Sequence, residues 1–62
     1  MTMVETANAM YSAADMARIW VCKFNKLNEA KEFHGAADAA DRARNWLSIV
    51  HNYHIDMLKF LP

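Results

Sequence analysis

Only one residue between Met1 and Leu61 is a strong helix breaker, Gly35, and the single proline is the last residue, Pro62. Alanine, the best helix former, is the commonest residue. No segment alternates apolar and polar residues for long enough to make a strand. The chain is therefore predicted to be all-α: two helices that meet at the glycine and fold back as an antiparallel hairpin.

The helix bounds follow from local signals. Thr2-Met3-Val4-Glu5 fits a capping box, with a threonine at the cap and a glutamate three residues on. Ser12-Ala13-Ala14-Asp15 fits the same pattern and offers a restart near residue 13. The early start is preferred, because Met3, Met10, Ala14, Ala17, Val21 and Phe24 hold one helical face through both candidates. Helix 1 is predicted over 3–33. A turn follows over 34–37, with Gly35 as the left-handed residue after the helix end. Helix 2 is predicted over 38–60, and 1–62 is read as a single domain. Asp38 and Asp41 then fall in the first turns of helix 2, where carboxylates suit the dipole. Asp38 and Arg42 stand four apart and can pair.

Apolar residues make up 55% of 62 residues, more than two facing stripes require. On helix 1 the main apolar arc holds Met3, Met10, Ala13, Ala14, Ala17, Trp20, Val21, Phe24 and Leu27. On helix 2 it holds Ala36, Ala39, Ala40, Ala43, Trp46, Leu47, Val50, Tyr53, Met57, Leu58 and Leu61. Pairing about Gly35 places Trp20 near Val50 and Phe24 near Trp46. Met3, Met10, Trp20, Phe24, Trp46, Val50, Tyr53 and Met57 are the predicted core or dimer residues. Helix 1 would be roughly 46 Å long and helix 2 roughly 36 Å, so the first two turns of helix 1 overhang. A chain this short makes a marginal core alone. Dimerisation into a four-helix bundle is the expected remedy.

Tyr11, Met16, Ile19, Ile49 and Phe60 lie off or at the side of the main stripes. They are the candidate residues for binding a larger protein.

Charge and motif content restrict the rest. Seven basic residues balance seven acidic ones, so nucleic acid is not the default partner. No apolar run approaches the ~20 residues that span a bilayer. The N-terminus lacks the basic and apolar segments of a signal peptide. The chain reads as a complete small open reading frame, expected in the cytoplasm with its lone Cys22 reduced. His34, His51, His54 and Cys22 are the only zinc-ligand candidates of soft type. A hairpin separates His34 from the pair His51 and His54, so no metal or cofactor is expected. No nucleophile triad, phosphate loop or dinucleotide fingerprint is present, and the chain is not expected to be an enzyme. His54 falls within the helix 2 arc as a core or interface histidine. Asn28 falls in the helix 1 arc, where it either sets register or bonds the nearby turn.

Tyr11-Ser12-Ala13-Ala14-Asp15 resembles a segment of the small haemolysin-expression modulators, helical proteins that join a nucleoid-associated partner. The resemblance covers five residues and carries no functional residue with it. The predicted function is non-catalytic: a small module that binds a larger host protein and inhibits or modulates it, of the phage or mobile-element accessory type. The alternative is a DNA-associated co-regulator, a helical dimer presenting Lys23, Lys26, Arg42 and Arg44.

Overall fold

Helix α1 spans Met3–Glu29 and α2 spans Phe33–Leu58 in a computed structural model that describes residues 1–62. The two pack antiparallel into a rod of 49 × 14 × 13 Å. No helix is long and apolar enough to cross a membrane.

α1 starts where the capping box places it. The Thr2 hydroxyl oxygen accepts from the Glu5 amide at 3.1 Å, and the same hydroxyl donates to the Glu5 carboxylate at 3.2 Å. The helix then runs without a break through Ser12. Buried Thr6 is satisfied within the same turn, because its hydroxyl donates to the Thr2 carbonyl at 2.9 Å. That internal bond lets a threonine occupy an apolar seam.

The turn is not at Gly35. α1 ends at Glu29 rather than at 33, the reversal occupies Ala30–Glu32 rather than 34–37, and α2 begins at Phe33 rather than at 38. Lys31 takes the left-handed conformation, with φ 59°. The Lys31 amide donates to the Asn28 carbonyl, and the Glu32 amide donates to the Leu27 carbonyl. These two bonds are a Schellman end with a lysine in the position that favours glycine. Asn28 thus serves the turn through its backbone, and its side chain is exposed rather than set in the seam. Asp38 and Asp41 lie beyond the first turn of α2, which holds no acidic residue. Asp38 does pair with Arg42, at 3.0 Å.

Packing explains why the local glycine signal lost. A turn centred near residue 31 brings together positions whose numbers sum to about 63. Leu27 then faces Ala36, Phe24 faces Ala39 and Trp20 faces Ala43. Further along, Ala17 faces Trp46, Ala13 faces Val50, Met10 faces Tyr53 and Thr6 faces Met57. Every layer sets a small or slim residue against a larger one. The bulk changes helix at the middle, between Trp20 and Trp46. All fourteen of these residues are buried or half-buried. A turn at Gly35 would set Trp20 against Val50 and Phe24 against Trp46, large upon large. That pairing, expected from the sequence, does not occur. A left-handed lysine costs about 1–2 kcal/mol, less than overpacking several layers.

The same shift removes the expected overhang. The helices have 27 and 26 residues and end level with one another. Met1, Thr6, Asp56, Lys59 and Phe60 line a shallow depression at the open end. Met3, expected in the core, is exposed, whereas Met10, Trp20, Phe24, Trp46, Val50, Tyr53 and Met57 are half-buried.

Candidate protein-binding face

The seam residues recur at alternating steps of three and four, so both helices carry heptad positions. Calling Met10, Ala17 and Phe24 position a makes Thr6, Ala13, Trp20 and Leu27 position d. On α2, Ala36, Ala43, Val50 and Met57 are a, and Ala39, Trp46 and Tyr53 are d. In an antiparallel pair the e positions of both helices fall on one edge of the seam and the g positions on the other.

The two edges differ in chemistry. On the g edge, Lys23 Nζ lies 4.3 Å from the centroid of the Trp20 ring and Arg42 Cζ lies 4.9 Å from it. Each such contact is worth about 0.5–1 kcal/mol at an exposed site. Arg42 also pairs with Asp38, and Lys59 pairs with Asp56 at 3.2 Å. Charge thus covers this edge around Trp20 and near the open end of the rod.

The e edge is open. Its e positions are Ala7, Ala14, Val21 and Asn28 on α1, with Phe33, Ala40, Leu47 and His54 on α2. None is an acid, lysine or arginine. The flanking b positions add Val4, Tyr11 and Leu58, and the only such charges among them are Arg18 and Arg44. Val4 is 69% exposed, Tyr11 62%, Leu47 54% and Leu58 51%. Apolar residues at a, d and one flank make the pattern of a bundle helix, whereas a two-stranded seam needs a and d alone.

The hairpin itself is nearly coreless. Only six residues are buried, Thr6 and five alanines, and no large side chain is fully enclosed. An alanine methyl contributes about 0.8 kcal/mol when buried, small against an ordering cost of about 1–2 kcal/mol per residue. The large seam residues are half-buried because one side of each stands open.

The five candidate binding residues do not form one patch. Tyr11 lies on the e edge. Met16 and Ile49, at g, and Ile19, at c, gather on the opposite edge, with Ile19 48% exposed and Ile49 37%. Phe60 lies past the end of α2, beside Met1. Periodicity places Leu47, Val21 and Leu58 in the core arcs, yet they are exposed and belong to the open edge. Heptad lettering of both helices about a common seam is the signal that separates them.

No three His, Cys, Asp or Glu residues cluster at metal-ligand spacing, and Cys22 is exposed on the outer face of α1. His34 stands near the turn, while His51 and His54 lie roughly 25 Å along the helix toward the open end. His54, expected in a core or interface, is exposed in the hairpin. Comparison with known proteins finds no matching family model, curated protein or solved structure.

Proposed function

We propose that this chain is a small non-catalytic protein-binding module that works as a homodimer in the cytoplasm. Two hairpins close into an antiparallel four-helix bundle, and the bundle attaches to a larger protein that it inhibits or modulates. One observation carries the reading. A hairpin with no fully buried large side chain leaves a whole edge uncharged at its e positions. Exposed apolar surface rimmed by polar residues is the usual mark of a protein-interaction site. Small, neutral, glycine-poor helical chains of this kind are typical of phage or mobile-element accessory genes, which is an argument by analogy.

Three of the four basic residues of the DNA-associated alternative, Lys23, Lys26 and Arg42, share the g edge, but the acids Glu5, Asp38 and Asp56 share it with them. Lys23 and Arg42 cover Trp20, Arg42 is paired with Asp38, and Arg44 lies toward the other edge. No structural observation favours that reading.

The test has two parts. Light scattering should give twice the 7.1 kDa chain mass at micromolar concentration. A tagged dimer should then capture one host protein from a lysate, and Ile19→Glu should lose it while remaining dimeric. A stable monomer, or capture indifferent to every surface change, would remove the proposal.

A further inference from the structure

We infer that the open e edge is occupied by a second copy of this chain, related by a two-fold axis that sets the two turns at opposite ends of the bundle. This rests on the dimeric reading above and specifies its interface.

Size argues for a second copy. A rectangle of the two longer extents, 49 × 14 Å, covers roughly 690 Å² before side-chain relief is counted. A standard stable interface takes about 800 Å² from each partner. The full length of the edge thus approaches one interface's worth, and an occupant that covers it is about as long and uncharged along one face. A second copy of the hairpin meets each condition.

Charge then selects the arrangement. Arg18 and Arg44 stand level with one another across the seam, as do Trp20 and Arg42. With both turns at one end, α1 of one copy lies on α2 of the other. Each Arg18 then stands across from the second copy's Arg44, and four guanidinium groups crowd the flanks. With the turns at opposite ends, α1 lies on α1 and α2 on α2. Positions summing to about 32 on α1 now meet, and, since level positions on the two helices sum to about 63, positions summing to about 94 meet on α2. Arg18 falls across from the second copy's Ala14 and beside its Asp15, the residue it already pairs with at 3.4 Å in its own helix. Leu47 falls on the axis and meets the second copy's Leu47. His54 meets the second copy's Ala40, so large again faces small. Each Arg18 then stands roughly 6 Å, and each Arg44 roughly 9 Å, along the bundle from its own counterpart instead of level with a second guanidinium, and Asp15 comes beside Arg18.

The experiment uses the full chain with Cys22→Ser and Ala30→Cys, carrying a spin label at the turn. Pulsed dipolar spectroscopy should read a label separation on the order of 40 Å, set by the 49 Å length of the rod. A separation below about 20 Å would overturn the opposed arrangement. In parallel, Leu47→Glu should raise the dimer dissociation constant at least about a hundredfold, while Ile49→Glu on the other edge should change it less than about threefold. The reverse order would show a dimer that uses the g edge, which overturns this inference and leaves the dimeric reading standing. A monomer in the unsubstituted chain would overturn both. Should Leu47→Glu unfold, the label distance alone still decides.

Discussion

Leu27 packs directly over Gly35: a Cβ built on that glycine would stand 3.4 Å from Leu27 Cδ1. Gly35 lies in the first turns of α2, with no positive φ. Its role is close approach beside the turn, not the reversal itself. Gly35→Ala meets only ordinary van der Waals contact and gains helix propensity of up to about 1 kcal/mol. The melting temperature should hold or rise. A fall of more than several degrees would mean that Leu27 cannot yield to the added methyl group.

The strained position is Lys31. Lys31→Gly should relieve a left-handed φ of 59° and stabilise the fold by up to about 1 kcal/mol, part of it offset by a freer unfolded chain. Urea denaturation at fixed protein concentration checks it. Lys31→Val, β-branched at the same position, should destabilise. Equal midpoints for the three chains would show that the reversal is not where Lys31 stands.

Phe24 opposite Ala39 tests the register. Ala39 is 1% exposed, so Ala39→Phe should cost about 1–3 kcal/mol by overpacking. Phe24→Ala should cost about 2 kcal/mol, below the usual range for a fully buried phenylalanine, because Phe24 is half-buried. The two together exchange large and small within one layer and should recover most of the loss. Strict additivity would place the two residues in different layers.

Much of this fold was legible in the residues, and the failures have one cause. The N-cap at Thr2, the unbroken α1, the Asp38–Arg42 pair and the all-helical hairpin followed from local chemistry. The reversal did not, because a glycine is a strong local signal while layer complementarity is visible only when both helices are aligned. Moving the turn by between three and four residues moves every cross-helix pair by seven. That single error displaced Trp20 from Ala43 to Val50 and created an overhang that does not exist. Binding candidates suffered similarly. Apolar residues off a stripe were legible one helix at a time, but the edge they occupy depends on the seam. Met16, Ile19 and Ile49 therefore separate from Tyr11 only in the folded hairpin.

His54 occupies an e position with no ionisable carboxylate among the e and b residues of its own edge. A hydrophobic residue there should suit a covered face better. His54→Leu is expected to tighten the dimer by about tenfold, read by analytical ultracentrifugation over a dilution series. An unchanged or weaker dimer would place His54 outside the interface.

The most direct measurement is the mass of the unsubstituted chain in solution together with its helicity as concentration falls. Sedimentation equilibrium should give twice 7.1 kDa at micromolar concentration, and far-ultraviolet circular dichroism should lose helix as dilution separates the copies. A helical signal that persists unchanged in a 7.1 kDa monomer would contradict the claim that the hairpin's open edge has to be covered by a second chain.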